Sequence, residues 1–193
     1  MSKELYQVTA RIIFKLGTRL ELSETKAILS RLRNSIGRDV SETVSIWPLV
    51  FEEVPLEYLS TSGTPTYQEN AILAALQLYA LHQQGRSESV HESPGNSVGK
   101  ALHNIRDLNN TALDRRFNAL ITSGNFKELT THLRHLISIL KQEKGTKIDY
   151  AKLAEDFYWY QMSPESANRM RMRWGQDYYF YQEKEKEGEK DAE

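Results

Sequence analysis

An all-α chain, two small helical bundles side by side forming an elongated subunit, is predicted by three features of this sequence. Apolar residues recur at helical spacing through most of its length, capping and breaking residues punctuate that rhythm, and no two alternating runs flank a hairpin turn. With 193 residues the chain suits one larger domain or two small ones and can bury a usable core. No internal repeat is present.

The elements follow in order. Val8, Ile12, Leu16 and Leu20 share a helical face. The early Ile12-Ile13-Phe14 run also suits a strand, but the spacing continues past Gly17 and favours a helix. Ser23 is a suitable cap for a second helix that turns Ile28, Leu32 and Ile36 inward, carries Arg31 and Arg33 on its exposed side and stops at Gly37. Trp47-Pro48-Leu49 and Val54-Pro55 open short helices or turns, residues 61–65 form a loop, and Thr66 with Glu69 reads as a capping box. Residues 71–81 are apolar on most sides, which makes their helix the centre of the N-terminal core. Residues 85–96, rich in Gly, Ser, Glu and Pro, lack an apolar period and read as a hinge.

Beyond that hinge, Ser97 caps a helix with Val98, Ala101, Leu102 and Ile105 on one face. Leu113, Phe117, Leu120 and Ile121 form a second such face, and Leu129, Leu133, Leu136, Ile137 and Leu140 a third. Lys100, Arg115, Arg116, Arg134 and Lys141 fall largely off these faces. After a break at Lys144-Gly145-Thr146, Asp149 caps a helix through Trp159, and Ser163-Pro164 starts a last one lined by Met170, Trp174, Tyr178 and Tyr181. The expected organisation is an N-terminal lobe over 1–84, a hinge over 85–96, a C-terminal lobe over 97–181 and an acidic, disordered tail over 182–193.

Lys and Arg number 25 against 26 Asp and Glu, giving a formal net charge of −1, whereas free-standing nucleic-acid binders are usually basic. The charge is segregated, however. Lys26, Arg31, Arg33 and Arg38 have no acid between them, residues 39–69 hold acids and no Lys or Arg, and the tail is net acidic. Such a chain has one basic side and other sides for solvent or protein partners. The absence of cysteine excludes disulfides, thiolate metal sites and a thiol nucleophile. No apolar run approaches the roughly 18 to 20 residues of a membrane span, and the N-terminus lacks a signal peptide's apolar block. A soluble, cytoplasmic protein without membrane contact is expected.

No catalytic constellation emerges. Residues 95–101 resemble a phosphate loop only superficially: three residues separate Gly95 from Gly99, Ala101 stands where magnesium needs Ser or Thr, and no strand precedes them. His132 and His135 lie three apart on a helix, but His82, His91 and His103 have no chelating spacing, so a surface or packing role is expected rather than a metal. No nucleophile elbow or His-Glu-x-x-His motif exists. Glu155 and Asp156 read as ordinary helix-surface carboxylates. The chain is expected to be no enzyme and to need no cofactor or metal. Arg169, Arg171 and Arg173 cannot all share one face and suit protein contacts. Trp159, Tyr160, Trp174, Tyr178, Tyr179 and Tyr181 suit packing better than base stacking.

Three segments carry a family resemblance: Ser97-Val98-Gly99-Lys100-Ala101-Leu102, Arg115-Arg116-Phe117-Asn118-Ala119-Leu120-Ile121, and Leu133-Arg134-His135-Leu136-Ile137. Their order resembles the small subunit of type I-E CRISPR surveillance complexes (Cascade), the CasB family. Upstream, Ile28-Leu29-Ser30-Arg31-Leu32-Arg33, Trp47-Pro48-Leu49-Val50 and Ala80-Leu81-His82-Gln83-Gln84 are similar to its N-terminal half. Downstream, Ile148-Asp149-Tyr150-Ala151-Lys152-Leu153, Trp159 and Trp174 resemble its C-terminal half, so only the last dozen residues stand outside. The near-neutral charge and acidic tail depart from more basic members.

The resemblance implies a non-catalytic subunit present in two copies per complex, against the guide-RNA filament of backbone subunits and next to the large subunit. Its partners would be a second copy of itself, those subunits, CRISPR RNA and target DNA, above all the displaced strand. The nucleic-acid-binding candidates are Arg31, Arg33 and Arg38 from the N-terminal lobe and Lys100, Arg115, Arg116 and Arg134 from the C-terminal lobe. Spaced cations on a rigid helical scaffold are what a phosphate backbone requires. Two other readings are a purely structural adaptor between larger subunits and an unrelated helical DNA-binding regulator, although no helix-turn-helix spacing is visible.

Overall fold

The computed structural model describes residues 2–38, 40–107 and 109–180. Among these, nine α-helices follow one another: α1 (Ser2–Gly17), α2 (Ser23–Asn34), α3 (Trp47–Phe51), α4 (Tyr67–Gln83), α5 (Val98–His103), α6 (Ala112–Ile121), α7 (Phe126–Leu140), α8 (Tyr150–Met162) and α9 (Pro164–Phe180). Short 3-10 turns flank α3, and the one β-type pairing among the described residues is an isolated bridge between His91 and Ile148. The fold is all-α, as the periodicity predicts. Tyr181 and the acidic tail 182–193 lie outside the described residues.

α4 begins at the expected capping box. The Glu69 N–H donates to Thr66 Oγ1 at 3.1 Å, and the Thr66 N–H donates to the Glu69 carboxylate at 2.7 Å. From Ala71 to Ala80 every residue is buried, because α1, α2, α7 and α8 all pack around this one helix. α1 also lies along α8, α5 and α8 both pack on α9, and α6 pairs with α7. A continuous hydrophobic cluster runs from Leu5 to Tyr178. The three faces expected in the C-terminal half all turn inward, with Leu129, Leu133, Leu136, Ile137 and Leu140 fully buried and Ile105 and Ile121 at the margin.

The segment 85–96, where the sequence places a hinge, is fastened on both sides. Gln83 Nε2 donates to the Arg86 and Glu88 carbonyls, and the Val90 N–H donates to Gln83 Oε1 at 3.0 Å. Arg86 reaches the Lys141 and Glu143 carbonyls. Asp149 joins three elements: it caps α8 through the Lys152 N–H, and its second oxygen accepts from Tyr6 of α1 at 2.8 Å and from the Gly95 N–H at 3.3 Å.

Several expectations need correction. Ser23 is the first residue of α2 rather than its cap; the helical ladder starts one residue earlier, with the Lys26 N–H donating to the Leu22 carbonyl, and the Leu22 side chain makes no cap bond. The inner face of α2 is Thr25, Leu29 and Leu32, leaving Ile28 and Ile36 half-buried. Ser35, buried at the end of α2, is paired: its Oγ donates to the Leu32 carbonyl and receives Gln77 Nε2 at 3.1 Å. Leu20 is buried just beyond the end of α1, in the turn before α2. Asp156 is no surface residue. It is buried between α8 and α9, accepts from Trp174 Nε1 at 2.7 Å and pairs with Arg173, while burial pushes its carboxyl above the usual range against the pull of Arg173 and Lys152.

Gly99, which gives residues 95–101 their glycine-loop look, serves packing. Ser97 caps α5 by accepting the Lys100 N–H at 3.2 Å, and a Cβ at Gly99 would stand 2.4 Å from the Trp174 carbonyl oxygen of α9. Gly99→Ala must force α5 and α9 apart, a cost of about 1–3 kcal/mol that lowers the melting temperature by roughly 2–12 °C for a chain of this size. An unchanged melting curve by circular dichroism would rule out the close α5–α9 contact.

His82 of α4 is buried, with Nδ1 2.9 Å from the Tyr150 hydroxyl and Nε2 without a hydrogen-bond partner. Burial first, then the positive charges of Arg86 and Lys141, lower its pKa to about 4. An unfolded histidine binds its proton near pH 6.5, so the unfolded state takes up more protons between these values. Stability is therefore complete above about 6.5 and falls as pH drops toward about 4, by on the order of 3 kcal/mol. Urea unfolding of the native chain and of His82→Gln across this window should show a pH-dependent difference; parallel curves would contradict the assignment.

Candidate nucleic-acid interface

α7 is built to present one face outward. Asn125 caps it by accepting the Glu128 N–H at 2.9 Å, the leucine stripe fixes its rotation, and Lys127, Thr130, Thr131 and Arg134 line a cleft on its α4 side. Lys127 and Arg134 are seven residues apart, two turns or about 10.5 Å along the axis and nearly in line. Lys141, seven further on, caps the helix and donates to Gln84 Oε1 at 2.8 Å.

The cleft beside Lys127 and Arg134, about 540 Å³, lies between α7, α4 and the turn after α2. Arg38 enters it from that turn. Its position is set by Gln77 of α4, whose Nε2 donates to the Ser35 carbonyl at 2.8 Å and the Arg38 carbonyl at 3.2 Å, and by Gly37, whose φ of 88° suits a residue without Cβ. On the other side of α7 a shallower cleft of about 400 Å³ is lined by Ala112, Arg115, Arg116, Ala119, His132 and His135. Phe117 and Leu120, fully buried, hold α6 so that both arginines face out, and Arg116 Nη1 donates to the Ala112 carbonyl at 3.3 Å. α7 is thus the wall between two clefts, each carrying arginines.

Four of the seven candidate cations, Arg38, Arg115, Arg116 and Arg134, meet around α7. The other three do not join them. Arg31 lines a separate groove of about 460 Å³ between α2 and α3, where Glu24 and Glu52 also stand. Arg33, expected on an exposed face, is half-buried against α4 with Nη1 3.5 Å from the Ala80 carbonyl, and burial lowers its pKa from the usual value. Lys100 sits half-buried on α5 and lines neither cleft. Lys127 was not among the candidates, although its seven-residue spacing from Arg134 was a readable signal.

His132 and His135 line the α6–α7 cleft, and His132 Nε2 is 3.7 Å from Glu128. Among the described residues no three His, Cys, Asp or Glu side chains converge to hold a metal. The arginines of α9 are turned to internal contacts: Arg171 donates to the Ser123 carbonyl and lies over the Tyr160 ring, Arg173 pairs with Asp156, and Arg169 reaches Ser166 Oγ at 2.9 Å. Tyr160, Trp174 and Tyr178 are buried and cannot stack on bases.

The sequence and the fold are similar to those of known proteins. The family described as CRISPR-associated protein Cse2 matches residues 28–179. The structure is similar to CasB from Thermobifida fusca, with a TM-score of 0.73 and 25% identity over 91% of this chain and 97% of that one. It is also similar to TTHB189, a CRISPR-associated Cse2-family protein from Thermus thermophilus, with a TM-score of 0.66 and 21% identity over 89% of this chain and 97% of that one. A chain of a CRISPR RNA-guided surveillance complex gives a TM-score of 0.67 and 20% identity over 90% of this chain and 92% of that one. No curated protein sequence matches. A family match across most of the chain, on an all-α fold shared with solved CasB and Cse2 proteins, places this chain in the CRISPR-associated Cse2 family.

Proposed function

We propose that this chain is the non-catalytic small subunit of a type I-E CRISPR RNA-guided surveillance complex and that it holds nucleic-acid backbone to keep an R-loop open. The observation that carries the reading is the exposed ridge of α7, with Lys127 and Arg134 on one flank, Arg115 and Arg116 across the other, and Arg38 facing it. Exchanging a DNA duplex for an RNA–DNA hybrid is nearly neutral in base-pairing energy, so protein contacts to the backbone decide how long the open state lasts. Cations about 10 Å apart on a rigid helix match charge and shape rather than sequence. The displaced strand is the natural occupant, held by ion pairs that release counterions on binding.

In this reading the protein acts in the cytoplasm, two copies enter each complex, and the lobes 1–84 and 97–181 meet backbone and large subunits while the α7 ridge faces nucleic acid. Arg31, Arg33 and Lys100 act as lesser or partner-facing cations. A structural adaptor is the second reading, favoured by exposed apolar side chains such as Phe14 and Leu56, 70% and 84% accessible, which offer docking surface to other subunits.

Reconstitution of the complex with and without this chain, followed by R-loop lifetime on a matched target across a salt series, separates the two. Strand clamping predicts a shorter and less salt-sensitive lifetime when the chain is omitted, because its phosphate contacts are the salt-sensitive part. Equal lifetimes would favour the adaptor.

Within the assembled complex, the pair Lys127→Gln with Arg134→Gln should lower the salt slope for single-strand retention by about 0.7 per cation removed. Arg115→Gln with Arg116→Gln should do the same. Arg169→Gln, whose side chain is held by Ser166, should leave the slope unchanged. Unaltered slopes in both double variants, at normal incorporation into the complex, would remove these arginines from the interface.

A further inference from the structure

Two histidines share the α6–α7 cleft with its two arginines. Arg115 and Arg116 come from α6 and His132 and His135 from α7, and the small Ala112 and Ala119 complete a lining that holds no carboxylate. Arg115, Arg116 and His135 are exposed and His132 is half-buried. His132 and His135, three apart on one helix, are neighbours with about 5–6 Å between Cβ atoms. All four side chains are therefore available to one ligand in the cleft.

The charged groups around the histidines leave them to that ligand. On α6, Asp114 is held by Arg106, at 2.9 and 3.1 Å, and by the Tyr178 hydroxyl. On α7 itself, Glu128 stands 3.7 Å from His132 Nε2, while its other carboxylate oxygen accepts the Gly124 N–H at 2.7 Å. Lys127 and Arg134 line the opposite cleft. α4, α5 and α8 also pack against α7, and their charged groups have partners elsewhere: Glu69 in the Thr66 cap, His82 with Tyr150, His103 with the Tyr178 carbonyl, and Lys152 with Glu155 and Asp156. Lys100 of α5 lines neither cleft. Among the described residues no carboxylate pairs with His135.

A phosphodiester oxygen is negative and only accepts hydrogen bonds. A neutral imidazole offers it one N–H and no charge, whereas the imidazolium offers two N–H groups and a full positive charge. An ordinary histidine titrates near pH 6.5, so it is mostly neutral at pH 7 and gains a proton when an anion settles within about 4–6 Å. Bound and free states then differ in protons held, and affinity for phosphate must rise as pH falls.

We propose that His132 and His135 are phosphate ligands, completing with Arg115 and Arg116 a four-cation cleft between α6 and α7, and that they take up protons as a phosphodiester strand enters it. The phosphate site stands on the composition and geometry of the cleft, while its occupation by a strand rests on the function proposed above. Retention of the strand is then tuned by pH near neutrality, a property that arginines alone do not confer.

The five histidines of the chain can be followed by long-range 1H–15N spectra of the full-length protein. On addition of a single-stranded 30-mer at pH 7 and about 50 mM salt, where screening is weak, the His132 and His135 imidazole signals should move toward the doubly protonated position, while those of His82, His91 and His103 stay. Affinity for the 30-mer should fall roughly threefold to tenfold from pH 6 to pH 8, and strand retention in the reconstituted complex should follow the same trend. His132→Gln with His135→Gln, both at the surface of α7, should lose that dependence. A bound strand with unmoved imidazole signals, or a pH dependence that survives in the double variant, would overturn the proposal and leave the arginines of the interface standing. If the 30-mer binds neither the chain alone nor the complex, the nucleic-acid reading fails, and inorganic pyrophosphate at pH 7 decides the site. Movement of both imidazole signals, lost in the Arg115→Gln, Arg116→Gln background, would then support a phosphate cleft, and unmoved signals would overturn it.

Discussion

The burial of α4 (Tyr67–Gln83), complete from Ala71 to Ala80, is the constraint on which the rest of the structure depends. A helix apolar on nearly every side must be enclosed over most of its length: by α2 and α1 from the N-terminal half, by α7 and α8 from the C-terminal half. That requirement joins the two halves through one core. It also decides where charge can appear. Gln77, buried on α4, fixes the turn that carries Arg38, and the leucine stripe of α7, packed toward α4, leaves Lys127 and Arg134 on the outer side. Both walls of the larger cleft are therefore set by contacts to the same helix.

The arginines divide by what lies within their reach. Where a buried carboxylate or a backbone carbonyl at the end of a helix stands near, as at Asp156 for Arg173 and at the Ser123 carbonyl, shared with the Tyr160 hydroxyl, for Arg171, the guanidinium is turned to a contact within the fold. Arg106 is held likewise by Asp114, at 2.9 and 3.1 Å, beneath the Tyr178 and Tyr179 rings. A buried carboxylate such as Asp156 left unpaired would be costly, so these arginines serve contacts within the fold. Arg115 and Arg134 have no comparable demand on them. Around them the cleft linings are mostly alanine, threonine, asparagine and histidine, with Glu42 the one carboxylate, so the positive field stays open to solvent.

Much of this was legible in the sequence because local rules governed it. The caps at Thr66, Ser97 and Asp149 use side chains acting three residues ahead, and all three form. The apolar faces of α5, α6 and α7 follow from spacing alone. What was illegible depended on partners distant in sequence. Asp156 looks like a surface residue until Trp174 and Arg173 are placed beside it, eighteen and seventeen positions away. Arg33 looks exposed until the Ala80 carbonyl is found 3.5 Å away, forty-seven positions on. The inward turn of Ser35 at the end of α2 went unread for a related reason, since an apolar-spacing rule cannot see a polar residue that Gln77 of α4 and the local backbone satisfy. The candidate interface fared the same way. Four of its cations were readable one by one, but their convergence around α7 required the tertiary packing.

A near-neutral chain with a cationic ridge is a consistent design for a subunit that works inside a larger assembly. Screening limits each charge to about 8–10 Å at physiological salt, so a strand lying along α7 responds to the local ridge, not to the net charge of −1. The net charge governs the approach from a distance. A balanced protein gains little long-range attraction to nucleic acid in general, and so does not occupy the vast excess of irrelevant sites. Under the proposed function, once the surrounding complex opens a duplex and brings a strand against α7, the ridge is within reach and the balance elsewhere on the surface no longer matters. Under that function, segregated charge with little net excess would separate retention of a delivered strand from indiscriminate capture, a distinction that a uniformly basic helical protein of the same fold would lose.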